Sequence, residues 1–285
     1  MLRNTPLRGY LGCLVLIGAS AIAWADDPIE QALNATFRIT NGKTSATSFL
    51  IYGPEAPEDG SSPLSLLVTA AHVFGEMSES ECTVILRRRQ EDGTYERQEA
   101  QVALRNGDQQ LWVRHDEVDI AVVPFELPED TAARPLFYEQ LADASWSDHR
   151  RLRAGSDVLI PGYPAQLESN DAGWPVLRRG SVATHPLVPA DSTPRMLVNA
   201  TTFGGDSGAP VILLVDGDPI VVGIVSGMIR QTNRANTPFE ERVTHMPVAL
   251  AITVQAPFIR TTVAKLLEGS EDPSEAADVA SEDSP

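Results

Sequence analysis

From Ala35 to about Phe258 the chain is built of short apolar or alternating runs, broken every few residues by clusters of Gly, Pro, Asn and Asp. Almost nowhere in that stretch do apolar residues recur at helical spacing, so the pattern points to an all-β domain. Thr83 to Arg88 and Tyr95 to Leu104 read as two strands around Glu91-Asp92-Gly93. Ala209 to Val215 pairs in the same way with Pro219 to Ser226 around Asp216-Gly217-Asp218, a second hairpin signal. Pro128 to Arg153 is polar and lacks alternation, which suits a connection between two sub-barrels. The exception is Ala256 to Leu267, where Phe258, Ile259, Val263, Leu266 and Leu267 fall on one helical face and predict a closing helix.

Composition narrows what such a domain can serve. Against 39 acidic residues stand 22 basic ones, a net charge of −17, which excludes the basic footprint needed for nucleic acid. With Cys13 and Cys82 the only cysteines, neither a disulfide framework nor a zinc site is predicted. Cys82, among apolar neighbours, reads as buried and inert.

Both ends read as separate from the domain. Arg3 and Arg8 flank an apolar run from Leu11 to Ala23 that closes on Ala23-Trp24-Ala25, the pattern of a signal peptide (1–25) cleaved before Asp26. The run is shorter than the roughly 20 residues a membrane span needs, so the expectation is an exported, secreted or periplasmic protein without a stable membrane anchor. At the other end, 268–285 carries seven acidic residues and no basic ones, a tail expected to be disordered. Residues 26–267 form the domain, with sub-barrels meeting near 128–153. Nothing in the sequence speaks to an oligomeric state.

Three local patterns carry chemistry: Val68-Thr69-Ala70-Ala71-His72, Asp119-Ile120-Ala121-Val122-Val123, and Gly204-Gly205-Asp206-Ser207-Gly208-Ala209-Pro210. Each alone is weak, but together and in the order His, Asp, Ser they resemble the chymotrypsin-like (trypsin-fold) serine proteases, in their bacterial trypsin-like peptidase branch. Ala46-Thr47-Ser48-Phe49-Leu50-Ile51, Pro161-Gly162-Tyr163-Pro164 and Arg179-Gly180-Ser181-Val182 resemble further strands of that family. The resemblance implies two six-stranded antiparallel β-barrels packed together, followed by a short C-terminal helix. It also implies hydrolysis of a polypeptide substrate through an acyl-enzyme, without metal or organic cofactor.

The residue types fit that chemistry. A serine hydroxyl is a poor nucleophile at neutral pH, so Ser207 needs a base, His72, to take its proton. Asp119 would hold the imidazole in one tautomer and balance its transient charge. Backbone N–H groups of Gly205 and Ser207 would receive the negative oxygen of the tetrahedral intermediate. In the family's zymogens a freed amine pairs with the Asp before the nucleophile. No such terminus stands out here, so Asp206 is expected to find an arginine or a backbone donor instead.

The resemblance also implies that Thr201, six residues before Ser207, forms the floor of the primary specificity pocket, and a neutral floor argues against Arg or Lys substrates. Ser226-Gly227-Met228 matches the segment that pairs with an extended substrate. Met228 narrows the pocket towards small or medium apolar side chains. Glutamate-selective relatives usually carry a histidine where this chain has Val225. Two other readings share the same residues: a catalytically weak or inactive peptide-binding protein of the same fold, and an esterase.

Overall fold

The computed structural model describes residues 27–54, 63–148, 151–236 and 241–269. The segments read as signal peptide and acidic tail lie outside them, apart from Glu268 and Gly269, as does His149. Among the described residues no helix is long and apolar enough to cross a membrane.

The described chain begins with a helix that the strand pattern does not announce, α1 (Pro28–Ala35). Asp27 caps it, its carboxylate accepting the Ile29 N–H at 2.9 Å, and Pro28 occupies the first turn. Seven strands then form one antiparallel sheet: β1 (Thr36–Thr40), β2 (Ser45–Tyr52), β3 (Ser65–Thr69), β4 (Glu81–Arg89), β5 (Tyr95–Ala103), β8 (Val113–Arg114) and β9 (Ala121–Pro124). A helical turn, α2 (Ala71–Glu76), separates β3 from β4, and a two-residue-strand hairpin, β6 (Arg105–Asn106) with β7 (Gln109–Gln110), separates β5 from β8. The order is β5-β4-β1-β2-β3-β9-β8.

This half differs from a closed six-stranded barrel, because its end strands β5 and β8 do not pair with each other. β8 is only two residues long, and β5 carries Glu96, Arg97 and Glu99, charges that protect an unpaired edge.

The second half closes as expected. A short helix, α3 (Ser145–Asp148), lies in the polar connection, whose described residues form no strand. The barrel comprises β10 (Asp157–Gly162), β11 (Val176–Val182), β12 (Arg195–Asn199), β13 (Pro210–Val215), β14 (Asp218–Asn236) and β15 (Glu241–Gln255), in the order β10-β11-β12-β15-β14-β13. Pairing of Leu159 with Ile212 closes the ring. α4 (Pro257–Glu268) ends the described chain where the apolar spacing placed a helix, and buries Phe258, Ile259 and Val263.

Both faces of the first sheet are covered. Phe37, Ile39, Leu50, Leu67 and Val123 belong to its own core. Phe49, Ile51, Leu66, Val68 and Val122 belong to a second core shared with barrel residues such as Ile160, Ile212 and Val254. Covered on two sides, β2 and β3 are buried at consecutive positions rather than at alternate ones. The candidate site forms where the two halves meet.

Candidate active site

His72 sits in the first turn of α2, directly after β3, and Asp119 lies in the bend leading into β9. β3 and β9 are neighbours, with Thr69 opposite Ala121, which delivers the two side chains to one point. Asp119 Oδ1 accepts the backbone N–H of His72 at 2.9 Å, and Oδ2 lies 2.7 Å from His72 Nδ1. The Ser226 hydroxyl donates to the same Oδ2 at 2.6 Å. Across the junction, His72 Nε2 is 3.0 Å from Ser207 Oγ.

An ionised carboxylate accepts only, so the proton of a neutral His72 belongs on Nδ1. Nε2 is then left as an acceptor for the Ser207 hydroxyl. The hydrogen bond to Asp119 raises the His72 pKa above its ordinary value; burial opposes this, and the charges of Asp119 and Glu76 add to it. Burial pushes the Asp119 carboxyl up, but the bonds from His72, Ser226 and the His72 backbone together hold it below its ordinary value. The arrangement can take a proton from Ser207 and return it, with the imidazolium held beside a carboxylate.

The turn carrying Ser207 depends on two glycines in the left-handed region. Gly205 has φ +100°, and a Cβ there would stand 2.3 Å from the Tyr163 carbonyl oxygen. Gly208 has φ +90°, and its Cβ would stand 2.0 Å from the Thr47 oxygen. The Gly204 carbonyl accepts the Ala165 N–H at 2.8 Å, and the Gly205 carbonyl accepts the Thr47 hydroxyl at 2.7 Å. Both carbonyls are thus engaged by the protein. The N–H groups of Gly205 and Ser207 donate to no other described atom, and both residues line a cavity of 630 Å³ beside His72.

Asp206 finds the arginine expected for it. It is 1% exposed, and Arg178 on β11 grips it through two bonds of 2.8 and 2.5 Å, while the Phe203 N–H donates to it at 2.8 Å. Burial pushes the carboxyl up and Arg178 pulls back. Removing the guanidinium in Arg178→Met leaves a buried carboxylate without its cation. The expected result is a loss of about 3–5 kcal/mol of unfolding free energy, measured by denaturant titration; a loss under about 1 kcal/mol would show that the pair does not hold the turn.

A second cleft, of 220 Å³, also opens at Ser207. Thr202, Phe203 and Gly204 line it together with Val225, Ser226, Gly227, Met228 and Arg230. Ser226, Gly227 and Met228 line this cleft, and the Ser226 hydroxyl also bonds Asp119. Thr201 is exposed and lies outside the lining, its carbonyl accepting from Arg178 at 2.8 Å, while the neighbouring Thr202 is part of it. Thr202 is 1% exposed, and its hydroxyl has no hydrogen-bond partner among the described residues. Arg230 also escaped the sequence reading, because it follows irregularities in the β14–β15 pairing.

Cys82 and the other described histidines, His115, His185 and His245, lie outside both cavities. Cys82 is buried, and burial pushes its thiol up to about 12. Among the described residues no three His, Cys, Asp or Glu side chains are grouped to hold a metal ion.

A six-stranded barrel packed on a second antiparallel sheet, with histidine, aspartate and serine meeting between them, defines a chymotrypsin-like serine-protease fold. The chain belongs to the trypsin-like peptidase family: residues 47–224 match the family described as trypsin-like peptidase domain. No curated protein matches it. Among solved structures it is similar to the inactive form of a serine-to-alanine mutant of Rv3671c from M. tuberculosis, with 18% identity and TM-score 0.47, covering 87% of this chain and 94% of that one. It is also similar to neuropsin, a serine protease expressed in the limbic system of mouse brain, with 14% identity, TM-score 0.48, and 83% and 96% of the two chains covered. An inactivated protease paralogue of the scabies mite aligns at 16% identity and TM-score 0.46, over 84% and 96%.

Proposed function

We propose that the protein is a serine endopeptidase that works through an acyl-enzyme on Ser207. The observation that carries this reading is the unbroken chain of hydrogen bonds from Asp119 through His72 to Ser207, beside two N–H groups with no acceptor of their own. Ser207 Oγ attacks the carbonyl carbon of the scissile peptide as its proton passes to His72 Nε2. The oxygen that becomes negative is received by the N–H groups of Gly205 and Ser207. His72 then gives the proton to the leaving amine, and the C–N bond breaks. Water repeats the sequence on the ester, its proton passing through His72, which releases the acid and restores Ser207. Asp119 orients the imidazole and balances its charge without taking the proton.

Two features support a site that is competent without a further cut. Asp206 is already paired with Arg178, and the Gly204 and Gly205 carbonyls are already engaged. The N-terminal segment supports export of the chain before it acts, with residues 1–25 removed and 268–285 left as an acidic tail.

The side chain preceding the scissile bond is assigned to the 220 Å³ cleft. Its size and the Met228 wall favour small or medium side chains. Arg230, the one permanently charged side chain among the described residues that line it, opposes a substrate cation. Incubation of the purified protein with a mixed peptide library, followed by mass spectrometry, tests both points. Internal cleavage is expected, with Lys or Arg before the cut accepted at least about tenfold less well than the best uncharged residues. Hydrolysis of activated esters without peptide cleavage would make the protein an esterase, and cleavage confined to Lys and Arg would overturn the cleft assignment alone.

A further inference from the structure

Thr47 joins the two halves of the fold at the turn that carries Ser207. It lies on β2 of the first sheet, is fully buried, and uses every polar atom it has. Its N–H donates to the Ser207 carbonyl at 2.9 Å, and its own carbonyl accepts the Thr69 hydroxyl at 2.8 Å. Its hydroxyl donates to the Gly205 carbonyl at 2.7 Å and accepts the Tyr163 N–H at 3.2 Å.

These partners are not incidental to the site. Thr69 ends β3, the strand that leads into His72. The Gly205 carbonyl belongs to the peptide lying between the two whose N–H groups are left free, so the direction of that carbonyl sets how the two donors converge. On the other side, Tyr163 to Gln166 closes on the same turn: the Ala165 N–H holds the Gly204 carbonyl, and the Tyr163 oxygen is in the space a Gly205 side chain would need. Ala165 and Gln166 have φ of 50° and 64°, an uncommon conformation for residues other than glycine, and such conformations persist where surrounding contacts hold them.

We propose that Thr47 is a positioning residue for the oxyanion site, its hydroxyl fixing the Gly205 peptide so that the Gly205 and Ser207 N–H groups point together into the cavity. The proposal rests on the serine-peptidase reading. A threonine needed only to fill space would be replaced by valine, its near-isostere, with little effect on turnover. Valine, however, leaves both the Gly205 carbonyl and the Tyr163 N–H without their partner, so that of this peptide's two polar groups only the Asp206 N–H, bonded to the Phe203 carbonyl at 3.2 Å, stays held.

The test compares wild type, Thr47→Val and Thr47→Ser on a peptide substrate and on a peptide aldehyde, whose tetrahedral adduct places an oxygen in the oxyanion site. In Thr47→Val, kcat is expected to fall about 10- to 100-fold, less than or comparable to the loss of one oxyanion donor, with KM little changed. Aldehyde affinity falls in parallel, the pH midpoint of the acid limb stays at its wild-type value, and Thr47→Ser restores kcat to within a few-fold. Unchanged kcat in the valine variant, unchanged aldehyde affinity, or failure of serine to rescue overturns the proposal. If the valine variant does not fold, Thr47→Ala, which removes the same hydroxyl without adding volume, is measured in its place. Amide hydrogen exchange supplies a readout independent of turnover. The segment 203–208 is expected to exchange several-fold faster without the hydroxyl; an inactive wild type would count against the peptidase reading, while equal exchange would count against the brace.

Discussion

Ser207→Ala is expected to lower kcat for peptide hydrolysis by about a millionfold, to the level that substrate binding and the oxyanion donors sustain alone. The side chain lost is a single hydroxyl whose described partner is His72 Nε2 at 3.0 Å, and the surrounding turn is held by other groups. Arg178 grips Asp206, Thr47 holds the Ser207 and Gly205 carbonyls, and the Gly208 N–H donates to Val225 at 2.8 Å. Folding should therefore survive, and thermal unfolding of the variant alongside its progress curves checks that the loss is chemical. Undiminished hydrolysis would remove Ser207 from the reaction.

Asp119→Asn is expected to cost about 10⁴-fold in kcat, for a different reason. Asp119 receives three donors: the His72 backbone N–H, the His72 ring and the Ser226 hydroxyl. An asparagine amide can present its own N–H to the ring, which favours the tautomer with the proton on Nε2 and leaves nothing to take the Ser207 proton. The variant also carries a signature in pH. His72 must be neutral to act as base, so activity falls as pH drops through its pKa. In the wild type the Asp119 bond raises that pKa, placing the acid limb above 6.5. Without the carboxylate the charged imidazole loses its main stabilisation, and the acid limb of the residual activity moves to lower pH. A rate profile of kcat/KM against pH for both proteins reads this, and a limb that stays in place would show that Asp119 does not set the histidine's charge.

Much of this site was legible in the sequence because its chemistry is local. The His72 and Ser207 motifs are short runs whose residue types are dictated by the turns they make, as the blocked space at Gly205 and Gly208 shows. The partner of Asp206 was legible as a necessity, since a buried carboxylate needs a donor, although Arg178 could not be named in advance. The closing helix and both hairpins followed from periodicity and turn residues. What escaped depends on contacts distant in the chain. Thr201 lies outside the cleft lining that holds Thr202, and its carbonyl is bound by Arg178, 23 residues away. The outer pairing of β14 with β15, from Arg230 opposite Pro247 to Arg234 opposite Val243, is exposed and carries only scattered apolar residues such as Val243 and Met246, so no apolar face marks it. α1 is short and was masked by the strand pattern that follows it. Thr47, in a run read only as a strand, gained its role from a turn 158 residues later.

The assignment of Ser207 as an activated nucleophile is tested most directly by a fluorophosphonate probe applied to the wild type and to Ser207→Ala, with the adduct located by mass spectrometry. One phosphonyl group on Ser207 of the wild type and none on the variant is the expected result. A wild type that takes up no probe, or a variant labelled to the same extent, would contradict it.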